Sequence, residues 1–536
     1  MMTSAVSSEF SVPLAPGMLD ASTGEVSLAL SKAQLAVNRA RAAQPSWMAL
    51  GAARRALVIE RFRQLVFSDR QLIARTVTEE SGKPMSESLV ADVAMTLEGA
   101  RFLRRIARRA LKSRSMRSQT LAAWRKSIVT HYDPYGVVAV VSPWNYPFFF
   151  PAMHAITALV AGNAVVLKPS EHTPLCADLI ARLLHSAGVP PDVFIVLHGD
   201  GRMGAGLVNA SVDKVLFTGS ERTGRSIAVA CAPRFVPVSL ELGGSDAAIV
   251  LEDADMRTTA SGILWGRYTN AGQTCVAVKR VVAVGRAYDT LLPLLAKGVH
   301  NLVVSGESAT VATSFDVGPV ISAPQRSLIM EQLEEAIAQG ATVVARQEPR
   351  AVSAQGNVAG HVPDREAPAV LLADVTPSMR VWHEETFGPV LVIARASSEA
   401  EAIALANSTR FGLSASVWTR DRARAARIAA QLQAGSTAIN DAVITAGLPE
   451  VPHGGVKASG IGRIHGVEGL MECVRTRTVV DDMLPGMRQP WWFGYGPATA
   501  KRLDAYLRLS HGTSWIERLS GVPDTIRLMF QPERPL

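Results

Sequence analysis

The chain contains little cysteine. Its 536 residues include four, Cys176, Cys231, Cys275 and Cys473, and no two of them form a CxxC pair. This argues against a disulfide framework or a zinc site, so we predict a reducing, cytoplasmic environment and no metal. Charged residues are also scarce, at 19% against 48% hydrophobic residues, which excludes a disordered or fibrous chain. Each cysteine is therefore a candidate nucleophile.

The sequence favours neither a cleaved leader nor a membrane span. The first 18 residues have no basic residue before an apolar core, which argues against a secretory signal. Residues 136–167 contain no Asp, Glu, Lys or Arg, but Pro143, Pro147 and Pro151 interrupt them. We interpret this stretch as two buried strands separated by a loop and a helix.

The net charge of +8 favours anionic partners such as nucleotides, acidic membranes or nucleic acid. Nucleic acid is not predicted, because zinc-finger spacing and aromatic RNA-binding signatures are absent from the sequence. The segment Arg101–Lys112 has five arginines on one helical face: Arg101, Arg104, Arg105, Arg108 and Arg109. With the basic C-terminal extension at 483–536, this face suggests peripheral membrane contact. We favour the alternative of a solvated basic face and a tail packed on the body or on a neighbouring subunit.

The order of predicted elements is that of an α/β protein. Residues 27–110 favour helices, and from Gly136 to Gly244 short β-branched runs alternate with helical segments, which predicts βαβ units and a parallel sheet. A second α/β region follows from about Ser245 to Val443. Residues 120–131 and 474–482 alternate polar and apolar side chains, which predicts strands outside the two main sheets. Ligands of such sheets bind at the carboxyl ends of the strands.

Three residues are candidates for covalent catalysis. Cys275 follows a small, amide-rich loop in NAGQTC that can present a thiol at a cleft; the alternative is a buried apolar side chain. Glu241 ends the predicted strand of VSLELGG, where partial burial raises a carboxyl pKa toward that of a general base. Asn145, in the Pro-bracketed loop SPWNYPF, is placed to stabilise an oxyanion. A turn-capping acid and a turn asparagine are the alternatives for these two.

Two loops are candidates for nucleotide binding. FTGSERTG leads from a predicted strand through Gly219 and Ser220 into a helix, an arrangement that suits a pyrophosphate although GxGxxG is missing. KPSE follows another strand, where Lys168 and Glu171 can bind ribose hydroxyls and the charge of Glu171 disfavours a 2′-phosphate. A solvated, charged turn is the alternative for both loops.

Taken together, seven segments resemble the aldehyde dehydrogenase superfamily, and a bacterial succinate-semialdehyde-dehydrogenase-like subgroup within it. They are, in order, SPWNYPF, GNAVVLKPSE, FTGS, ELGG, GQTC, EETFGPV and GGVKASGIGR. The resemblance covers residues 20–482 and implies the α/β aldehyde dehydrogenase fold. The implied parts are a Rossmann-like NAD-binding domain (20–119 and 134–244), an α/β catalytic domain (245–445), oligomerisation strands (120–133 and 467–482) and the C-terminal extension (483–536). A homodimer or homotetramer is implied as well.

The resemblance also implies the roles of individual residues in oxidising a small-molecule aldehyde. Cys275 would be the nucleophile and Glu241 the general base, and the Asn145 amide with the Cys275 backbone N–H would form the oxyanion hole. The implied cofactor-binding residues are Trp144, Lys168, Ser170, Glu171, Gly219, Ser220, Glu385 and Phe387. Glu385 would hold the nicotinamide ribose, and Phe387 would pack near the nicotinamide. Through Glu171, NAD is favoured over NADP.

The chain departs from the family pattern at two places and in the substrate pocket. Ser245 stands where lysine is usual, and Ile-His-Gly at 464–466 replaces Glu-X-Gly. Thr269 and Met153 stand where arginines bind a substrate carboxylate in the succinate-semialdehyde subgroup, and residues 148–150 are all phenylalanine. Because a buried carboxylate without a cation is costly, we predict an apolar or aromatic aldehyde. Succinic semialdehyde is one alternative; a CoA-acylating reaction is another, although it would not need the base Glu241.

Overall fold

The computed structural model describes most of the chain. The described residues are 24–305, 315–349, 363–484, 487, 489–493 and 495–530. The interpretation of the first 18 residues lies outside them, as do parts of the predicted C-terminal extension.

The described residues divide into two compact units. The first contains those of Met1–Ala110 and Pro134–Val474, and the second those of Leu111–Asp133 and Arg475–Leu536. Every residue predicted to act in catalysis or cofactor binding lies in the first unit.

The α-helices of the first unit are α1 (Gly24–Ala49), α2 (Gly51–Ser68), α3 (Arg70–Ser81), α4 (Met85–Glu87), α5 (Met95–Ala110), α6 (Phe149–Ala161), α7 (Pro174–Ala187), α8 (Gly201–Asn209), α9 (Glu221–Cys231), α10 (Met256–Tyr268), α11 (Ala287–Asn301), α12 (Ala323–Ala338), α13 (Arg380–His383), α14 (Glu399–Asn407), α15 (Arg422–Ala429), α16 (Ile444–Gly447) and α17 (Gly466–Met471). A π-helical segment, Ser88–Ala94, connects α4 to α5. Within the predicted helical region 27–110, α2 and α3 are separated at Asp69, whose backbone leaves the helical region and whose side chain pairs with Arg182.

The strands are β1 (Arg114–Arg117), β2 (Lys126–Pro134), β3 (Val137–Val141), β4 (Ala164–Lys168), β5 (Phe194–Val196), β6 (Lys214–Thr218), β7 (Val238–Glu241), β8 (Asp246–Val250), β9 (Val278–Val284), β10 (Thr342–Gln347), β11 (Ala369–Ala373), β12 (Val390–Ala396), β13 (Ser414–Trp418), β14 (Ser436–Ile439), β15 (Gly460–Ile461) and β16 (Val474–Asp482).

The first main sheet has the strand order β15-β7-β6-β3-β4-β5. All of its pairings are parallel except that of β15 with β7. The uncharged stretch 136–167 forms β3, α6 and β4, and both strands are fully buried, as the sequence predicts. Among the described residues, none of the helices combines the length and apolar character that crossing a bilayer requires.

The second main sheet has the order β10-β11-β12-β9-β8-β13-β14. All of its pairings are parallel except that of β10 with β11. Its buried strands form one apolar core with the helices that connect them. Residues 242–245 lead directly from β7 of the first sheet to β8 of the second. The loops after the strands of the first sheet therefore meet the loops that precede β8 and β9.

The second unit contains the small sheet β1-β2-β16. β2 begins at Lys126 rather than at the predicted residue 120, because Leu121–Ala123 form a 3-10 turn. β16 begins at Val474 rather than at residue 467, because Gly466–Met471 form a helix. The extension contains the helices α18 (Pro497–His511), α19 (Trp515–Ser520) and α20 (Val522–Met529). Its exposed apolar side chains include Met483, Leu484, Trp491, Trp492, Phe493, Tyr495, Leu507, Trp515, Ile516, Leu519, Ile526 and Phe530.

Candidate active site

The predicted site residues of the first sheet meet at one edge. Asn145 follows β3, Lys168 ends β4, Gly219 follows β6 and Glu241 ends β7. These four strands are neighbours in the order β7-β6-β3-β4, so their carboxyl ends lie side by side. This is where parallel sheets bind ligands.

Cys275 lies in the loop between α10 and β9. It is partly exposed, whereas Cys176, Cys231 and Cys473 are buried. The loop is fixed before it reaches the thiol: Asn270 and Ala271 adopt left-handed backbone conformations, and Gln273 Oε1 accepts a hydrogen bond of 2.8 Å from the N–H of Ile321. The thiol is thus presented on a constrained loop.

A half-buried acid that was not predicted from the sequence also holds this loop. Glu87 accepts hydrogen bonds from Thr269 Oγ1 at 2.9 Å and from the N–H of Asn270 at 2.9 Å. Burial raises the pKa of Glu87 to about 6, against the opposing charge of Lys83. Thr269, which stands where an arginine would bind a substrate carboxylate, is therefore engaged with Glu87.

Asn145 joins the two sheets. Its Nδ2 donates to the carbonyl of Gln273 at 3.0 Å, and its own carbonyl accepts from Lys83 Nζ at 2.7 Å and from Asn270 Nδ2 at 2.9 Å. Lys83 also pairs with Asp92 at 2.9 Å, and both side chains are almost fully buried. These contacts place the Asn145 amide beside the loop that carries the cysteine.

Asp92 fixes the other end of the Asn145 loop. Its Oδ1 accepts hydrogen bonds of 3.1 Å from the N–H groups of Phe148 and Phe149, at the start of α6. Lys83 lies over the ring of Tyr146 at 4.2 Å. Neither Lys83 nor Asp92 was predicted from the sequence; the only local signal was a lysine between Gly82 and Pro84 at the end of a helix.

The thiol of Cys275 lies in a strongly desolvated, charged environment. Burial raises the pKa of Cys275 to about 12, Lys279 opposes this shift, and Glu385, Asp246 and Glu241 reinforce it. Lys279 Nζ donates to the carbonyl of Cys275 at 2.5 Å and lies 3.4 Å from Glu385 Oε1. Lys279 was not predicted; the Lys-Arg pair within the otherwise apolar run VAVKRVVAV was its only signal.

Glu241 is buried without a hydrogen-bond partner. Burial raises the pKa of its carboxyl well above the ordinary value; the charge of Arg463 opposes this and that of Glu472 adds to it. In the described part of the chain, neither carboxylate oxygen accepts a hydrogen bond. His453 Nε2, at 3.9 Å from Oε2, is within ion-pair distance but beyond hydrogen-bond distance. A carboxylate in this state can accept a proton from water.

The first nucleotide loop fits a pyrophosphate. Ser220 caps α9 by accepting from the N–H of Thr223 at 3.3 Å, and a Cβ at Gly219 would come within 2.5 Å of the Phe217 ring. The absence of a side chain at Gly219 therefore leaves the backbone in front of the amino end of α9 accessible. The amino end of a helix is suited to binding an anion.

The second nucleotide loop presents paired charges. Lys168 Nζ lies 2.9 Å from Glu171 Oε2, with Lys168 buried and the Glu171 side chain 48% exposed. Although burial acts to raise it, the pKa of Glu171 is lowered overall by hydrogen bonds and by the charge of Lys168. Ser170 is buried and accepts from the N–H of His172 at 3.2 Å. The exposed carboxylate is available to ribose hydroxyls.

Glu385 and the aromatic pair lie beside the Cys275 loop. Glu385 Oε1 accepts from the N–H of Gly244 at 3.0 Å, and Trp144 meets Phe387 edge to face with ring centroids 5.5 Å apart. These residues and the two nucleotide loops together fit a dinucleotide. In the part of the chain that the structure describes, no three His, Cys, Asp or Glu side chains form a possible metal site.

Ser245, the first departure from the family pattern, is part of a buried network. Its carbonyl accepts from Arg280 NH2 at 2.7 Å, and Arg280 also reaches the carbonyls of Leu405 and Ala406. Burial lowers the pKa of Arg280 to about 10. A guanidinium thus reaches the residue that stands in place of the usual lysine.

The predicted pocket wall is apolar and buried. Phe148, Phe149, Phe150 and Met153 are each at most 6% exposed. Phe150 and Met153 line a small cavity that extends to residues 463–465. Neither Cys275 nor Glu241 is among the described residues that line it.

Comparison with known proteins identifies the family. The aldehyde dehydrogenase family model matches residues 21–479, so the chain belongs to this family. It is 35% identical over 89% of its length to a 4,4'-diapolycopene aldehyde oxidase of Methylomonas sp, of which the match covers 87%. It is 36% identical over 84% of its length to a Mycolicibacterium smegmatis protein named, provisionally, as an NADP-linked succinate-semialdehyde dehydrogenase, of which the match covers 85%.

A solved structure agrees with this assignment. The NAD+ complex of an aldehyde dehydrogenase from Bacillus cereus superposes with a TM-score of 0.79 at 31% identity, covering 85% of this chain and 89% of that one. The predicted family and α/β fold are therefore confirmed. The chain is an oxidoreductase of the aldehyde dehydrogenase family, whose members act on aldehydes with a nicotinamide cofactor.

Proposed function

We propose that the chain oxidises an apolar aldehyde to the carboxylic acid through a thioester on Cys275. The position of Cys275 supports this most directly. It is the partly exposed cysteine, on a loop fixed by Glu87 and bonded to Asn145 through Gln273. The unpartnered carboxylate of Glu241 is close enough to influence the thiol pKa.

The reaction begins when the Cys275 thiolate adds to the aldehyde carbon. The carbonyl oxygen becomes an oxyanion that the Asn145 amide and the Cys275 N–H stabilise, and Lys279 supplies positive charge nearby. The nicotinamide, when bound, accepts the hydride. Water then attacks the thioester carbon while its proton passes to Glu241, and the Cys275 sulfur leaves as the acid forms.

We infer that the cofactor is NAD. Gly219 and Ser220 would hold the pyrophosphate, Lys168, Ser170 and Glu171 the adenosine ribose, Glu385 the nicotinamide ribose, and Trp144 and Phe387 the nicotinamide surroundings. The exposed carboxylate of Glu171 supports NAD, because it would repel a 2′-phosphate.

The substrate is proposed to be apolar. Three phenylalanines and Met153 form the buried wall after Asn145, Thr269 is bonded to Glu87, and a relative is named for oxidising 4,4'-diapolycopene aldehyde. An apolar pocket discriminates against a carboxylate because burying an unpaired charge is costly.

NADH formation with aldehydes graded by chain length, aromaticity and charge tests this function. We expect kcat/KM to rise with apolar chain length and to be lowest for succinic semialdehyde. A preference for succinic semialdehyde would contradict the proposed substrate class but not the chemistry. NADH formation without free acid, dependent on CoA, would contradict the hydrolytic step.

Assembly and surface contacts remain predictions. We propose a homodimer or homotetramer assembled through the sheet β1-β2-β16, whose strands are largely solvent-accessible. Size-exclusion chromatography with light scattering tests this.

Peripheral membrane contact draws support from the five arginines of α5, which are all exposed, and from the exposed aromatic side chains of the extension. Co-sedimentation with vesicles containing anionic lipid tests it.

A further inference from the structure

Buried polar atoms without partners are concentrated around Glu241. Within the described ranges, both carboxylate oxygens of Glu241, Nδ1 of His453 and both ring nitrogens of His465 have no hydrogen-bond partner. Leaving a buried polar group unpaired destabilises the folded state. Such groups in a native structure therefore require an explanation, and a catalytic role is one.

The three side chains form a series. His453 Nε2 lies 3.9 Å from Glu241 Oε2, about 1 Å beyond an ordinary N–H···O hydrogen bond. The ring centroids of His453 and His465 are 6.1 Å apart. A small side-chain rotation therefore brings His453 into hydrogen-bond contact with the carboxylate, with His465 behind it.

The backbone is built to hold this series. The N–H groups of His453 and Ile464 each donate to the other's carbonyl, at 2.8 and 2.7 Å, which brings the two histidine segments together. Gly454, next to His453, has a φ of +156° and a Cβ there would lie 2.8 Å from Glu241 Oε1. The glycine thus lets this loop wrap closely around the carboxylate.

The series ends at a cavity. His465 lines a small cavity together with His154, Arg463 and Glu472. The ring of Phe149 meets His465 edge to face, with centroids 5.6 Å apart. His465 therefore lies between the buried carboxylate region and a small, partly polar space that can hold a water molecule.

We propose that His453 and His465 relay the proton that Glu241 takes from the deacylating water. This rests on the proposed function. As the water oxygen bonds to the thioester carbon, its O–H bond breaks and the proton passes to Glu241. Glu241 regains its charge by giving that proton to His453 Nε2, while the proton on His453 Nδ1 leaves toward His465 and the cavity. Each turnover releases one proton, and both imidazoles end neutral.

The charges around the histidines suit a relay of neutral rings. Burial, helped by the charge of Arg463, lowers the pKa of His453 to about 4. Burial, with His453 and His154 contributing, lowers the pKa of His465 to about 3. Glu472, the other charged group at the cavity, is held by Lys214 at 2.9 Å. A neutral imidazole can accept a proton on one nitrogen while it releases one from the other.

Hydrolysis of p-nitrophenyl acetate tests the relay without the cofactor. The initial burst of nitrophenolate measures acylation of Cys275, and the steady rate measures deacylation. For H453F we expect an unchanged burst and a steady rate reduced at least about tenfold, as for loss of a proton-transfer group. Hydroxylamine, which cleaves a thioester without a general base, should restore turnover.

H453Q separates proton transfer from positioning. Its amide can hydrogen-bond to Glu241 but cannot pass a proton, so we expect it to be as slow as H453F; full activity would overturn the relay. H185F is the matched control, since His185 is a half-buried histidine of α7 whose ring bonds to the carbonyl of Phe194 in β5, and it should match the unsubstituted protein.

A measurement on the unsubstituted protein covers the case in which the variants do not fold. The deacylation rate should be measured in mixtures of H2O and D2O and plotted against the fraction of D2O. We expect a curved plot, because several protons move in the step; a straight line would overturn the relay. A failure of the proposed function is seen separately. In that case the unsubstituted protein shows no burst, or C275S retains it.

Discussion

The two sides of the candidate active site differ in how their polar groups are held. On the Cys275 side, Lys279 bonds to the cysteine carbonyl, and the Asn145 amide bonds to Gln273. On the Glu241 side, both carboxylate oxygens, Nδ1 of His453 and both ring nitrogens of His465 have no hydrogen-bond partner among the described residues; on the Cys275 side, Asn145 Oδ1 also lacks one. A constrained side suits a nucleophile that must meet a carbonyl in one geometry. The unpartnered side suits groups that must exchange water and protons.

Removing the nucleophile should have the largest effect. In C275S, NADH formation should fall at least about a thousandfold, because the acyl-enzyme can no longer form. C231S is the matched control, since Cys231 is buried on α9, and it should keep most of the activity. Initial rates and thermal unfolding of both variants check this. Substantial activity in C275S would contradict the proposal that Cys275 is the nucleophile.

Removing the base should separate the two sides. In E241Q, the first turnover should remain while steady turnover falls about 10²- to 10⁴-fold, because only the second half-reaction needs a general base. Intact-mass spectrometry after addition of NAD and aldehyde should show the acyl group on Cys275. If E241Q slowed the first turnover equally, the division of labour between the two sides would be wrong.

Breaking the buried pair tests how firmly the constrained side is held. K83M leaves Asp92 buried and unpaired and frees the carbonyl of Asn145. We expect it to lower the free energy of unfolding by about 3–5 kcal/mol and to reduce the first-turnover rate. K297M, at an exposed position of α11, should change stability by less than about 0.5 kcal/mol. Urea unfolding measures both; equal stabilities would show that the pair is not needed.

The pH dependence should differ between the half-reactions. Acylation needs the Cys275 thiolate, and the pKa of the thiol is raised to about 12, so the burst rate should rise with pH up to the alkaline limit of stability. Deacylation needs the Glu241 carboxylate, whose pKa burial raises. The steady rate should therefore fall as the pH is lowered through that raised pKa and level off above it. Stopped-flow measurement of burst and steady rates checks both; parallel profiles would contradict the comparison.

The site residues that could be predicted from the sequence are those that lie at the end of a strand or in the loop directly after it. Asn145, Lys168, Gly219 and Glu241 each follow or end a buried β-branched run, and parallel pairing brings such ends together. Cys275 could be selected from four cysteines because the others lie in apolar or helical runs. The α/β order and most helices follow from the periodicity of apolar residues.

The supporting residues could not be predicted, because their contacts join distant parts of the chain. Lys83 reaches Asn145 across 62 positions, and Glu87 reaches Thr269 across 182. Likewise, the break between α2 and α3 falls at Asp69, in a segment whose local pattern is helical throughout. Local propensity contains no information on such tertiary contacts.

The smallest expected effect concerns the adenosine end of the cofactor site, away from both sides of the chemistry. Glu171 pairs with Lys168 at 2.9 Å, yet its side chain is 48% exposed, so solvent screens the repulsion of a 2′-phosphate. E171Q should shift the ratio of kcat/KM for NAD over NADP toward NADP by about tenfold, or about 1.4 kcal/mol. The burst of p-nitrophenyl acetate should not change, because it needs no cofactor. E221Q is the control: Glu221 also pairs with cations, Arg225 and Arg410. If E171Q left the ratio unchanged while E221Q altered it, the discrimination would lie at the start of α9.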